Sequence, residues 1–246
     1  MSAGSTSTGQ LKQESWSSTI EFTWDDVPSA TLSGTVFLSS DTLGQPVEMR
    51  LVDDQLIISD ASGLPPLHVV DTSDGSYVTS LGTKGRGPGE FQTVTEVLAT
   101  SNSCFGALDG ELRRITEYCL PETYSGNSDS WTRRSQLSIR GLGATITDAV
   151  QIEDNRPATI GFFTKGRIAI FDSTGNHQGM IGSTPPGDKK VPIPVRQHAY
   201  QGFMAYRHQS DQIVVGTRHA DFIEIYDSDG GAILTDPWAS AVCPDL

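Results

Sequence analysis

Short segments rich in Val, Ile, Thr, Phe and Tyr recur along the chain, and Gly and Pro separate them at short intervals. In the segment 168–171, Ile168 and Ile170 point to one side of an extended strand and Ala169 and Phe171 to the other, so both sides are apolar. Such a strand is typical of a sheet that packs against a neighbour on each face. With 25 Gly and 13 Pro marking the turns, the pattern predicts an all-β chain.

One unit repeats within this pattern: a strand that ends in Asp, followed by a small polar pair and Gly. It occurs at 67–75, 168–175 and 222–230, with a degraded copy at 112–118. The Asp bonds backbone N–H groups ahead of it, and Gly adopts the positive φ of a tight hairpin. Four strands in each unit of about 40–55 residues predict the blades of a β-propeller. The predicted blades span about 47–82, 94–140, 145–182 and 202–235.

These blades define one predicted propeller domain over 19–246, preceded by a Ser/Thr/Gly-rich segment, 1–18, that is expected to be a flexible tail. The segment 20–39 supplies one or two further strands. Four to five antiparallel, four-stranded blades are therefore visible in the sequence.

Two parts of the chain carry a family resemblance. The passage 82–91, Gly-Thr-Lys-Gly-Arg-Gly-Pro-Gly-Glu-Phe, is similar to the blade-to-blade signature of bacterial propellers related to NHL repeats. The passages Gln-His-Ala-Tyr-Gln-Gly at 197–202 and Asp-Phe-Ile-Glu-Ile-Tyr-Asp at 221–227 resemble the TolB-like six-bladed propellers. The resemblance implies an exported or lipid-anchored protein of the bacterial envelope, in a family whose members mostly lack an assigned activity. Six blades exceed the four or five found, so we expect an incomplete propeller whose open blade edges favour oligomers.

The charge balance narrows the range of partners. Lys+Arg 17 against Asp+Glu 30 gives a net charge of −13, whereas nucleic acid and anionic membranes require a basic face. No apolar run reaches the ~18 residues of a membrane span, and residues 1–10 lack the features of a signal peptide. We expect that the chain neither binds nucleic acid nor spans a membrane. We expect its partner to be a protein, a peptide or a glycan. The resemblance implies a periplasmic or outer-surface location, with the cytoplasm as the alternative.

The three cysteines, Cys104, Cys119 and Cys243, are too few and too scattered for a disulfide framework or a zinc site. Cys104 and Cys119 could meet across one hairpin. Buried free thiols are the favoured interpretation.

A dense polar group lies in and before the fourth blade. Its spacing matches no metal motif, and Arg beside His would repel a cation, so no metal is expected. Two interpretations remain open: polar residues that line the channel or cap blade ends, and a pocket for an anionic ligand or substrate. The candidate ligand-binding residues of this group are Arg196, His198, Tyr200, Arg218, His219 and Asp221.

Two more candidates, Arg86 and Glu90, lie in the Gly-rich passage 82–91. Its spacing is neither that of a P-loop nor that of a Rossmann motif, and a strand rather than a helix follows it, so a phosphate cradle is excluded. The favoured interpretation is a tight connection with Phe91 wedged between blades, and ligand contact is the alternative.

Propeller topology predicts that basic and acidic residues collect on opposite rims. The upper rim comprises the connections between blades and between second and third strands, and the lower rim the remaining turns. We expect the basic rim to hold an anionic ligand, with solvated loop charges as the alternative. The predicted upper-rim residues are Lys84, Arg86, Arg140, Lys165, Arg167, Lys189, Lys190, Arg196 and Arg218, and the lower-rim residues are Asp53, Asp54, Asp74, Asp211 and Asp229.

No catalytic motif stands out, so a binding or scaffold protein of the envelope without a cofactor is the main functional prediction. The alternatives are an intracellular interaction propeller and a hydrolase or lyase of the NHL/lactonase type, with Ca²⁺ as its one conceivable cofactor. The enzyme would require several candidate acids or bases to converge on one point of the channel. These candidates are Asp60, Glu90, Asp148, Asp221, His198 and His219.

Overall fold

The structure, a computed structural model, describes residues 31, 33, 43–62, 64–101, 103–120, 131–183, 190–219, 223–230 and 232–235. The predicted tail 1–18, Cys243, Asp221 and all of the predicted strands of 20–39 except residues 31 and 33 lie outside these residues. Every strand given below belongs to the unit Ser33–Leu246.

Four four-stranded sheets form the fold, and in each the strands pair antiparallel in chain order. A two-residue parallel pair, β5 with β6, lies between the first two sheets. The prediction of an all-β chain with four-stranded antiparallel blades is confirmed. Blade 1 contains β1 (Pro46–Val52), β2 (Gln55–Asp60), β3 (Leu67–Asp71) and β4 (Tyr77–Leu81), followed by β5 (Thr83–Lys84) and β6 (Glu90–Phe91); blade 2 contains β7 (Val94–Ser101), β8 (Cys104–Asp109), β9 (Arg114–Cys119) and β10 (Thr132–Ser138); blade 3 contains β11 (Ile146–Ile152), β12 (Arg156–Gly161), β13 (Ile168–Phe171) and β14 (His177–Ile181); blade 4 contains β15 (Gly202–Arg207), β16 (Gln212–Thr217), β17 (Ile223–Asp227) and β18 (Ala232–Thr235).

The sheets are arranged as a propeller ring. The first strand of each blade lies beside the first strand of the next, in the order β1, β7, β11 and β15. The first strands therefore surround the central channel, and the fourth strands lie outermost.

The hairpin turns follow the predicted chemistry. Asp71 accepts hydrogen bonds from the backbone N–H and hydroxyl of Ser73, and Asp172 accepts them from the backbone N–H groups of Thr174 and Asn176. Gly175 adopts a φ of 84° in the second of these turns. The backbone N–H groups of a tight turn have no acceptor on a neighbouring strand, so the Asp carboxylate accepts their hydrogen bonds. The Asp residues therefore stabilise the hairpin turns of blades 1 and 3.

The hydrophobic core lies in the spaces between consecutive blades. Phe91, only 1% exposed, packs with residues of blades 1 and 2, as predicted for a wedge between blades. Its ring lies so close to Gly82 that a Cβ there would come within 2.7 Å of it, and Gly82 has a φ of 78°. Trp131 also joins these blades, because its indole N–H donates to the Gln55 side chain at 2.6 Å.

The prediction of free thiols at Cys104 and Cys119 is wrong, because the two residues form a disulfide. They are paired directly across β8 and β9, and their Cα atoms are 4.1 Å apart. The sequence did not determine this hairpin register. Cys104, Cys119 and Glu117 are also grouped closely enough to hold a metal, but the bonded sulfurs are not available as thiolate ligands.

The α-helix α1 (Ile193–Ala199) follows Pro192 in the connection between blades 3 and 4. Across the part of the chain that the structure describes, no helix has the length and apolarity needed to cross a membrane.

Candidate functional site

The end of α1 and the connection after β16 form an exposed cluster of rings and charge on the upper rim. The His198 and His219 rings lie 6.0 Å apart, and the His198 ring lies 6.1 Å from that of Phe162. The guanidinium of Arg218 lies 5.9 Å from the centre of the Phe203 ring. We call His198, Arg218 and His219, together with Phe162 and Phe203, the rim cluster.

Backbone hydrogen bonds position the two segments that carry the rim cluster. Arg218 donates its backbone N–H to the carbonyl of Gln201 at 2.7 Å, which fixes the connection against the end of the α1 segment. Tyr200 donates its backbone N–H to the carbonyl of Arg196. The structure thus brings five of the predicted residues, Arg196, His198, Tyr200, Arg218 and His219, into two neighbouring segments.

Arg86 and Glu90 lie elsewhere, in the connection between blades 1 and 2. The Glu90 carboxylate accepts the backbone N–H of Gly87 at 2.6 Å and is turned into its own loop. Arg114 donates to the carbonyls of Arg86 and Glu90. These contacts fit the tight connection that the sequence favoured, and the exposed Arg86 side chain extends from it.

Several residues of the predicted basic rim are engaged in structural contacts. Arg167 is 5% exposed and donates to Glu224 at 2.6 Å, so it presents no charge to a ligand. Lys84 donates to the carbonyl of Gln92. Arg140 donates its backbone N–H to the carbonyl of Gly175, and its own carbonyl accepts the backbone N–H of His177. Lys189 lies outside the described residues.

The candidate catalytic carboxylates bind backbone groups of different segments. Asp60 accepts the N–H groups of Gly44, Gln45 and Ser62. Burial alone would raise the pKa of Asp60, but these hydrogen bonds lower it overall. The nearby ring of His68 is fully buried, and burial lowers its pKa. The Asp60 carboxylate therefore holds residues 44–45 and 62 against the end of β2.

Asp148 lies in the channel wall with partners that the sequence did not reveal. Its carboxylate accepts the backbone N–H of Ala149 at 2.5 Å and that of Met204, in blade 4, at 2.7 Å. Glu96 of blade 2 is its carboxylate neighbour, and Arg50 of blade 1 donates to Glu96 at 3.1 Å. A chain of polar contacts therefore links the first strands of all four blades.

Burial raises the pKa of both channel carboxylates. For Glu96, the nearby charges of Asp148 and Glu48 raise it further, against the opposing effect of Arg50. For Asp148, the hydrogen bonds from Met204 and Ala149 oppose the effect of burial without cancelling it. The pair therefore retains a proton at a pH where exposed carboxyl groups are ionised.

The residues of this polar chain occupy equivalent positions in their blades. Glu48, Glu96, Asp148 and Met204 are each the third residue of the first strand of their blade. Among these residues, only Asp148 is predicted as a site residue from the sequence; the signal that identifies the others is their fixed position in each repeat.

Two cavities differ in the charge of their walls. The first, about 530 Å³, lies at the lower ends of the first strands, and its described lining contains Asp53, Glu153 and Asp154 but no Lys or Arg. The second, about 550 Å³, is lined by residues of 142–145 and 162–165 with His177 and Met180, and this described lining contains no Asp or Glu. We call it the blade 3 cavity.

The ring of four-stranded blades with its central channel defines the protein as a β-propeller. The chain belongs to the TolB-like 6-blade propeller-like family, whose match covers residues 23–238. No curated protein matches the chain.

Two solved structures share this fold at low sequence identity. A Bacteroides thetaiotaomicron VPI-5482 protein of unknown function is 13% identical with a TM-score of 0.52, over 79% of this chain and 44% of that one. The Kuenenia stuttgartiensis hydrazine synthase is 12% identical with a TM-score of 0.51, over 79% and 49%. A Bacteroides fragilis NCTC 9343 protein described as exported is 13% identical with a TM-score of 0.46, over 78% and 71%. The chain thus spans about half the length of the first two.

Proposed function

We propose that this chain is a non-enzymatic binding propeller of the bacterial cell envelope that holds an anionic peptide or glycan on its upper rim. The rim cluster carries the proposal, because exposed His198, Arg218 and His219 lie together beside two aromatic rings. Arg and His donate charge-assisted hydrogen bonds to carboxylates, and aromatic rings offer flat apolar contact to a sugar or side chain.

The disulfide supports an envelope location, because such bonds persist in oxidising compartments such as the periplasm and cell surface. The family resemblance of the sequence points to the same compartment.

The test is binding to immobilised poly-L-glutamate and oligogalacturonate, with neutral dextran as the comparison, measured by biolayer interferometry. Charge reversal by Arg218→Glu should weaken binding to the acidic polymers by at least about fivefold, because attraction becomes repulsion. The matched control is Arg207→Glu, which reverses another exposed arginine at the opposite end of β15. Equal binding by wild type and Arg218→Glu, or equal binding to dextran, would overturn the proposal.

A hydrolase or lyase is the second candidate, favoured by the raised pKa values of Glu96 and Asp148 in the channel. A buried protonated carboxyl group can act as a general acid. If this candidate is right, the protein hydrolyses a lactone such as dihydrocoumarin, and Glu96→Gln abolishes the activity. The absence of turnover in wild type, or unchanged turnover in Glu96→Gln, argues against it.

A further inference from the structure

The blade 3 cavity is formed by two connections of the upper rim and one outer strand. Residues 142–145 join blade 2 to blade 3, and residues 162–165 join β12 to β13, while His177 and Met180 belong to β14. Its volume of about 550 Å³ lies within the range of small-molecule sites.

The wall of this cavity is largely apolar and aromatic. Leu142, Phe162, Phe163 and Met180 are among its lining residues, and Phe163 is only 3% exposed. Packing therefore holds Phe163 in place, so the wall can receive a flat apolar group without a large loss of side-chain freedom.

The polar groups of the wall are basic or neutral. Lys165 is exposed, and among the described residues no carboxylate forms an ion pair with it. A wall with Lys165 and His177 and without a described acidic residue is notable in a chain of net charge −13. The Lys165 ammonium, with no described carboxylate beside it in the wall, therefore favours an anion in this cavity.

His177 is fixed at the cavity wall by three contacts. Its ring packs edge-on against Phe171 with centroids 5.5 Å apart, and its Nε2 lies 3.4 Å from the Met180 sulfur. Its backbone N–H donates to the carbonyl of Arg140. A held imidazole gives a ligand a defined polar partner.

We infer that the blade 3 cavity binds a small organic anion with an aromatic body. The ring lies among Phe162, Phe163 and Met180, and the carboxylate reaches the Lys165 ammonium. This site goes beyond the proposed function, since it takes a small molecule rather than a polymer and lies outside the rim cluster except at Phe162, which both share.

The chain offers a way to fill the cavity. Gly143 lines the cavity, a Cβ added there meets no atom within 4 Å, and its φ lies outside the left-handed region, so Gly143→Phe places a ring at the cavity wall without a clash at the Cβ. Gly216, in blade 4, has the same clearance and is the matched control.

The experiment is calorimetric titration with 2-naphthoate, with 2-naphthalenemethanol as the neutral analogue and acetate as the anion without a ring. Wild type should bind 2-naphthoate about fivefold or more tightly than the alcohol, and acetate without measurable heat. Lys165→Gln should reduce 2-naphthoate affinity to that of the alcohol, and Gly143→Phe should abolish both. Gly216→Phe and Lys190→Gln should bind as wild type does.

Absence of binding by wild type, or wild-type affinity in Lys165→Gln, would overturn the inference. If Gly143→Phe fails to fold by circular dichroism, Lys165→Gln decides alone, because Lys165 is an exposed side chain. The polymer assay with Arg218→Glu is independent of these titrations, so failure of either site leaves the other result intact.

Discussion

Glu96 and Asp148 make the stability of the fold depend on pH. Their pKa values are raised in the folded chain, so above the ordinary carboxyl range near pH 4 the folded state holds a proton that the unfolded state has released. Stability is then highest at low pH within this window and falls as pH rises through the raised values.

Glu96→Gln should flatten this dependence, because the amide keeps an acceptor for Arg50 and a donor for Asp148 without titrating. Urea unfolding at about pH 5 and about pH 8.5 measures it, and each unit of pKa shift removed corresponds to about 1.4 kcal/mol. Glu111→Gln, at an exposed turn, should keep the wild-type slope. Asp148 stays buried and titrating in this variant, so a smaller slope remains, and a slope equal to that of wild type would contradict the assignment.

Single residues were harder to predict than the strands that carry them. The sequence predicts Asp148 as a carboxylate at the channel end of a blade, but it predicts no role for Glu96 or Arg50. Their roles depend on facing strands of different blades, far apart in the chain. Asp60 and Glu90 are also predicted from the sequence because they are carboxylates. In the structure both accept hydrogen bonds from nearby backbone N–H groups.

Among the elements, the connection before β13 and the strand β17 are held together by one buried ion pair. Arg167 donates to Glu224 at 2.6 Å, and the Tyr226 hydroxyl donates to the other carboxylate oxygen of Glu224 at 2.6 Å. The pair joins blades 3 and 4 in hydrophobic surroundings. Removing one partner therefore leaves the charge of the other buried without a counter-ion.

Arg167→Met should lower the free energy of unfolding by about 3–5 kcal/mol, because Glu224 remains buried and loses its cation. Adding Glu224→Gln should recover most of this loss, since the amide oxygen still accepts the Tyr226 hydroxyl. Urea unfolding measures both variants, and Arg207→Met is the exposed control. A single variant as stable as wild type would show that the pair does not hold the blades.

Elements were predictable wherever a local signal marked them. The Asp-to-Gly turns at 71–75 and 172–175 set the ends of β3 and β13 correctly, because each turn supplies its own hydrogen bonds. Blade 2 gave only a weak signal, since β9 and β10 are joined by the long connection 120–131 instead of a tight turn. Even so, its strands pair in the same order as the others.

For the whole molecule, the first and last described blades present apolar faces. Met49 and Leu51 in β1 are 60% and 59% exposed, while Val52 on the other face of the strand is buried. Ile223 in β17 is 54% exposed, and its neighbour Glu224 faces blade 3. In a propeller such faces stack on another blade, so they are suited to contact between chains.

We expect the chain to self-associate through these faces. Met49→Asp and Ile223→Asp together should shift it towards monomer in sedimentation velocity over a concentration series, because each buries a charge in the contact. Val195→Asp, at a 57% exposed position of α1, is the matched control away from both faces. A wild-type chain that is monomeric throughout the series would refute this expectation.

The disulfide constrains the whole fold through blade 2. Replacing both Cys104 and Cys119 by Ala should lower the free energy of unfolding by about 2–4 kcal/mol, because the unfolded chain regains the freedom of the closed loop. Thermal melting with and without reductant checks this, since reductant should destabilise wild type and leave the double variant unchanged. Equal melting of both proteins under oxidising conditions would be inconsistent with a stabilising bond.

The same bond decides how the protein behaves when a protease cuts it. Arg113 is exposed in the connection between β8 and β9, and it lies between the two bonded cysteines. A trypsin cut after Arg113 therefore leaves the two pieces covalently joined. Protein cut at this bond alone should migrate as one species without reductant and separate into two fragments with it, so the chain could lose this peptide bond without losing either half.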